Sequence, residues 1–246
     1  MSKKAKRQIR RLIESSLGLY SLNGHFMMKC KNLSPVILDL GAGKGEFSDS
    51  VLTKYPSSRI ILVEPVPDSV QNLVKKFEDQ NNVEILAAAI GNNTVKECRF
   101  FLSKNWQENS LHKSLIVEHE GQIEIMVKTT SLEEILTLYD LKKIDLLKVD
   151  IEGEEWDFFE KFSKRDFERI SQISVEFHDF LDSSYRQRTE KSIELLRGLG
   201  YSSIYSGTKY RHGTPYYKCL FYDKKRVNLG SLAKCFGFPK YLTDRI

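Results

Sequence analysis

The rhythm of residues 36–87 constrains this chain most. Three short apolar runs, Val36–Leu40 (VILDL), Arg59–Val63 (RIILV) and 83–87 (VEILA), are separated by two amphipathic stretches at 46–55 and 68–78. In the second stretch Val70, Leu73, Val74 and Phe77 fall on one helical face. Strands and helices alternating at this spacing imply right-handed crossovers and a parallel sheet. Val66-Pro67 is a stiff dipeptide, so the second helix must begin at Pro67 or later.

Downstream, 96–102 and 122–127 read as strands around a polar insert, 103–121. Ser131 followed by Glu134 has the form of a capping box and predicts a helix start. A fourth core strand is expected at 144–149 and a helix at 154–162. A fifth strand follows at 172–177, then a long helix at 184–199. The runs 201–205 and 216–222 are candidates for a closing antiparallel pair. The expected fold is α/β: a Rossmann-like, seven-stranded sheet, mostly parallel with an antiparallel closing strand, and helices on both faces. One domain, 36–222, is expected, with a basic helix and lead-in over 1–35 and a basic tail over 223–246.

At 246 residues the chain fits one large domain. Cys30, Cys98, Cys219 and Cys235 form no CxxC pair, which excludes a zinc ribbon or a thioredoxin-like site and favours a reducing cytoplasm. No apolar run approaches the roughly 18 residues of a membrane span, and the start lacks a signal-peptide core. The net charge of +5 suggests an anionic partner until its distribution is followed. Residues 1–11 hold six Lys/Arg and no acid, and 209–246 hold nine Lys/Arg against two Asp, so the body between is acidic. The basic stretch 2–17 is expected to be a solvated helix, or a weak contact with a membrane surface.

The loop Asp39-Leu40-Gly41-Ala42-Gly43-Lys44-Gly45 joins the first strand to the first helix. It lacks the GxxxxGK[ST] phosphate grip, and Glu46 stands where a dinucleotide fingerprint needs glycine. Acids at 39 and 46 would repel a pyrophosphate but suit a cationic, phosphate-free ligand end. Glu64, 23 residues after Gly41 at the end of the second strand, is placed to accept ribose hydroxyls. A nucleoside with a cationic centre and no phosphate describes S-adenosylmethionine.

With these residues the chain resembles the FkbM family of class I methyltransferases. The resemblance rests on VILDLGAGKGEF (36–47), VEP (63–65), AAAIGN (87–92), TTSL (129–132), DLLKVDIEGEEW (145–156) and VEFH (175–178). It implies that Gly41, Ala42, Gly43 and Glu64 bind the cofactor, that Asp39 supports its methionine end, and that Ala88, Ala89 and Ile90 lie along the adenine. It implies an S-adenosylmethionine-dependent O-methyltransferase acting on a hydroxyl of a saccharide or glycan precursor. The alternatives are a polyketide-like small natural product as acceptor, or a non-catalytic cofactor-binding scaffold. A nucleic-acid base methyltransferase is disfavoured, because Asp150-Ile151-Glu152-Gly153 replaces the [DN]PP[YF] block and no Pro-Cys occurs. Carboxylates at this place would also repel a phosphate backbone. A ribose O-methyltransferase is less firmly excluded.

Methyl transfer to a hydroxyl needs alignment and removal of a proton. Asp150 and Glu152 follow the fourth strand, and Glu176 and His178 close the fifth. Asp150, Glu176 and His178 are the expected catalytic residues, with His178 as general base. The other role open to the cluster is a Mg²⁺ site on Asp150, Glu152 and Glu176. Glu154, Glu155 and Asp157 are assigned to the first turn of the next helix. Asn105, Trp106, His112 and His119 in the insert, and Tyr205, Tyr210, Arg211, His212 and Tyr216 near the end, are candidates for acceptor contact or for covering the cleft.

Overall fold

The computed structural model describes residues 15–91, 96–102, 123–180, 183–205 and 216–230. The insert 103–121, the aromatic and basic residues 210–212, most of the 2–17 stretch and the tail beyond 230 lie outside the described residues.

Strands β1 (Leu19–Leu22) and β2 (His25–Met28) form a hairpin. Then come β3 (Val36–Leu40), α1 (Glu46–Lys54), β4 (Arg59–Val63), α2 (Pro67–Lys76), β5 (Val83–Leu86) and the short β6 (Ala89–Ile90). β7 (Glu97–Leu102) and β8 (Ile123–Thr130) pair antiparallel, and β6 joins β8 in a separate three-stranded sheet. α3 (Leu132–Leu138), β9 (Leu146–Val149), α4 (Glu155–Glu160), α5 (Lys164–Arg169) and β10 (Gln172–Glu176) complete the alternation. α6 (Arg186–Gly198), β11 (Ser202–Tyr205) and β12 (Lys218–Tyr222) end the described fold.

The main sheet has the order β11-β12-β10-β9-β3-β4-β5. Five strands are parallel, and β12 runs antiparallel to both β10 and β11. This is the expected seven-stranded architecture. Alternation along each strand feeds two cores. Leu38, Leu40, Ile61, Val63, Leu147 and Val149 join Trp156 and Phe159 on one face. Ile37, Ile60, Leu62 and Leu146 meet Phe47, Val51, Leu73 and Phe77 on the other. Trp156 is fully buried, stacks on Tyr185 at 4.5 Å and donates its indole N–H to Thr189 at 2.8 Å. Pro67 opens α2 in the first turn, where its missing N–H costs nothing.

No strand is expected before residue 36, yet a β1–β2 hairpin packs on the sheet. Leu17, Leu19, Phe26 and Met28 form a third core cluster with Ile204, Leu220 and Tyr222. The Gln172 side chain closes the gap: its Oε1 accepts from Met28 N at 2.7 Å and its Nε2 donates to Met28 O at 3.1 Å. An amide side chain thus supplies the ladder bonds that a neighbouring strand would give.

Among the described residues no helix is long and apolar enough to cross a membrane. The capping box at α3 is present in full, with Glu134 N donating to Ser131 Oγ and Ser131 N donating to Glu134 Oε2. Ser131→Ala removes a cap of about 1 kcal/mol. In thermal melting the midpoint is expected to fall by about 2–4 °C. An unchanged midpoint would mean that tertiary packing alone holds α3.

Candidate active site

Register places the site. Val63 pairs with Leu40, Leu40 with Val149, and Val149 with Val175. The next residues on these strands, Glu64, Gly41, Asp150 and Glu176, therefore emerge side by side at the carboxyl edge. The order reverses between β3 and β9, which makes the crevice there the binding place of an open α/β sheet.

Gly41 is hemmed in. Its φ is +75°, and a Cβ on it would lie 1.7 Å from the Asp150 carbonyl oxygen. Gly43 and Gly45 also have positive φ, at 53° and 69°, conformations that cost a side chain about 1–2 kcal/mol. Gly41 N and Ala42 N both donate to Val63 O, at 3.0 and 3.1 Å. Glu64, nearly buried, ties the loop from the neighbouring strand. Its Oε2 accepts from Gly43 N at 2.8 Å and its Oε1 from Val66 N at 3.0 Å. Burial raises the Glu64 carboxyl and outweighs these two amide bonds, which favour its charged form.

Beneath the loop lies Lys148, buried on β9. Its ammonium donates to Gly41 O at 2.7 Å and stands 3.1 Å from Asp39 Oδ1 and 3.5 Å from Asp150 Oδ2. Burial would lower this lysine, but Asp39 and Asp150 outweigh it and keep the ammonium charged. Asp39, fully buried, also accepts from Ser48 Oγ at 2.6 Å. Asp39 therefore acts on the glycine loop through Lys148.

Asp150 stands between the other two expected residues, grouped with His178 on one side and with Glu176 on the other, and two further residues join them. His178 is 3% exposed, with Nδ1 2.9 Å from Glu155 Oε1 and Nε2 3.1 Å from Glu152 Oε2 and 3.8 Å from Asp150 Oδ1. Burial would lower its pKa, but Glu155 and Glu152 reverse that and raise it well above the ordinary imidazole value. Glu155 opens α4 as the expected first-turn acid, but its role extends further. It is fully buried and also accepts from Ile151 N and Gly153 N, folding the 151–153 turn around itself. In that turn Glu152 has φ +51° and Gly153 φ +104°, a kink that brings Glu152 back to His178. Burial pushes the Glu152 carboxyl up to about 7, against the pull of His178. At Asp150 burial works the same way, yet Lys148, His25 and His178 hold its carboxyl well below the usual range.

The second addition is His25, from the β1–β2 hairpin. Its Nε2 lies 3.3 Å from Asp150 Oδ2 and 3.8 Å from Glu176 Oε2. Two groups, His25–Asp150–Glu176 and Asp150–Glu152–His178, have ligand atoms within 4.8 Å of one another. The Mg²⁺ set expected from sequence is split between them. Each group includes an imidazole, whereas Mg²⁺ takes oxygen ligands. Lysines already neutralise two of the carboxylates, with Lys218 Nζ 2.5 Å from Glu176 and Lys148 beside Asp150. The residues present do not fit a hard divalent cation.

Ala89 and Ile90 are buried on β6, one strand beyond Leu86. Ile90 lines a cavity of about 260 Å³ with Leu132, Phe158 and Phe162. No residue of the glycine loop borders it. Tyr205 and Tyr216 are buried against each other, edge to face at 5.8 Å, in the main core.

Residues 39–203 match the model of the methyltransferase FkbM domain. Methyltransferase 1 of Beauveria bassiana is 27% identical over 179 residues, which are 63% of this chain and 71% of that protein. AMB antimetabolite synthetase AmbE of Pseudomonas aeruginosa is 22% identical over 217 residues, 75% of this chain but 10% of that much longer protein. A crystal structure of methyltransferase FkbM from Methylobacillus flagellatus superposes with a TM-score of 0.48 at 17% identity. The superposition covers 77% of this chain and 44% of the other, so this chain spans less than half of that one.

Lys148→Met keeps the length of the side chain and removes its charge. Two carboxylates are then left beside Gly41 without their cation. A loss of about 3–5 kcal/mol in urea unfolding is expected. A loss below about 1 kcal/mol would mean that water or another cation replaces the ammonium without penalty.

Proposed function

This chain belongs to the FkbM methyltransferase family, and from that premise we propose that it is an O-methyltransferase acting on a hydroxyl of a saccharide or glycan precursor. The observation that carries the reading is the buried Glu155–His178 pair, whose Nε2 lies between Glu152 and Asp150 at the carboxyl edge. A proton acceptor there serves a hydroxyl nucleophile, which must lose a proton as it is methylated.

The residues fit S-adenosylmethionine. Gly41 permits backbone approach where no side chain has room. Each Glu64 oxygen takes one backbone amide bond and retains accepting capacity for a ribose hydroxyl. The surrounding carboxylates suit a positively charged donor. When bound, S-adenosylmethionine supplies an electrophilic methyl group on a cationic sulfur. The protein's part is positioning and proton removal. Glu155 accepts from Nδ1–H and fixes the tautomer, leaving His178 Nε2 to take the acceptor's proton. Asp150 Oδ1, on the His178 side of its carboxylate, accepts a hydrogen bond from the same hydroxyl and sets its direction.

The likeness to part of AmbE favours the second acceptor class, a small natural product. Transfer of labelled methyl from S-adenosylmethionine to a panel of sugars, nucleotide-sugars, lipid-linked glycans and polyketide alcohols separates the two. Label on a sugar oxygen supports the proposal, and label on a polyketide oxygen supports the alternative. Cofactor binding without transfer to any hydroxyl would leave the scaffold reading.

His178→Gln is expected to lower turnover by about 10²–10⁴-fold, the usual contribution of a general base. The neighbouring carboxylates hold the proton on His178 near neutrality, and a base must be unprotonated to act. The rate should therefore climb with pH through and above the ordinary imidazole range. A rate that is flat from pH 6 to 9 would remove His178 from the role.

A further inference from the structure

The hairpin turn Asn23-Gly24 has both residues in the left-handed region, at φ 42° and 82°, the form a two-residue type I′ turn requires. It lies on the active cleft. Asn23 Nδ2 donates to Glu46 Oε2 at 3.3 Å, at the start of α1 just past the glycine loop. A Cβ on Gly24 would lie 3.0 Å from Lys218 Nζ, the ammonium that holds Glu176. The next residue, His25, is 3% exposed, edge-on to Phe47 at 5.5 Å.

Each ring nitrogen has a polar neighbour at hydrogen-bond distance, and Nε2 also has Glu176 Oε2 farther off at 3.8 Å. Ser174 Oγ lies 3.4 Å from Nδ1, and Asp150 Oδ2 lies 3.3 Å from Nε2. A carboxylate only accepts, so Nε2 carries the proton shared with Asp150, and Nδ1 accepts from the serine hydroxyl. Lys148 approaches the same Oδ2, while His178 faces Oδ1. The two oxygens of Asp150 are therefore differentiated. Oδ2 is anchored by the protein, and Oδ1 points to the proton acceptor.

We propose that the N-terminal hairpin, which precedes the family-matched segment, is a wall of the active cleft, and that its His25 is a positioning residue holding Asp150 in the rotamer that presents Oδ1 to the acceptor hydroxyl. The inference rests on the O-methyltransferase reading for what Oδ1 does, but not for the geometry of the ring. Burial keeps His25 neutral, lowering its pKa against the hydrogen bond to Asp150. That agrees with a donor that carries one proton and does not exchange it. The hairpin is seated by Gln172 and by its own apolar face, so His25 can be altered while the support beneath it stays.

The experiment compares the full chain with His25→Phe and His25→Gln. Phe keeps a ring against Phe47 and cannot donate, whereas Gln restores a donor. At saturating S-adenosylmethionine, kcat for methyl transfer should fall about 10²-fold in His25→Phe, the usual effect of misplacing a reacting group by about 1 Å. The KM for S-adenosylmethionine should stay within about twofold, and His25→Gln should recover most of the loss. A purely structural histidine would give similar losses in both variants, and that result overturns the proposal. So does a His25→Phe enzyme with unchanged kcat. Two-bond proton–nitrogen correlation NMR of the wild-type chain supplies a readout that needs neither acceptor nor variant. A neutral His25 with its proton on Nε2 is expected near pH 7; an imidazolium or an Nδ1–H tautomer overturns the assignment. If the wild-type chain methylates no hydroxyl, the O-methyltransferase reading fails while the NMR result still decides the geometry.

Discussion

The ammonium of Lys148 sits where the sheet changes direction, and three features depend on it. It fixes the carbonyl of the first loop glycine, neutralises the buried Asp39 and restrains Asp150. Each of these alone would be unstable. Without the shared cation the two carboxylates would repel, which favours protonation of one of them. A glycine loop with positive φ at three positions has little intrinsic preference for one shape. One cation with three partners turns both problems into a single arrangement, and the glycine loop and the Asp150 side of the carboxyl edge share it.

Most of the sheet is legible in the sequence because its strands are buried on both faces and so read as continuous apolar runs. β3 and β4 have the expected bounds, and β5 and β10 each end one residue earlier than expected. β8 runs on to Thr130, because pairing with β7 and β6 continues past the apolar stretch. The capping box at α3 is local chemistry and could be read directly.

The site is legible only in part. Asp150, Glu176 and His178 follow from strand ends, since register aligns whatever comes after the last apolar residue. Glu155 resembles any acid in a first helical turn, and only packing shows that it is fully buried behind His178. Lys148 appears as a lone charge inside LLKV, where sequence suggests no more than an ion-pair partner. His25 has a stronger signal that goes unused: Asn23-Gly24 between LYSL and HFMM is a hairpin pattern. Its place beside Asp150 is still a contact across 125 residues, which no local pattern contains.

The hairpin also depends on the far end of the chain. Asn228 N donates to Lys29 O and Gly230 N to Leu17 O, at 2.8 and 2.9 Å, while Cys30 bridges to Val227. Gly18 and Gly230 approach so closely that a Cβ on Gly230 would lie 2.6 Å from Gly18 N. During synthesis these bonds cannot close until residue 230 has been made. The ties between the hairpin and residues 227–230 are therefore among the last contacts of the described fold that can form as the chain is made.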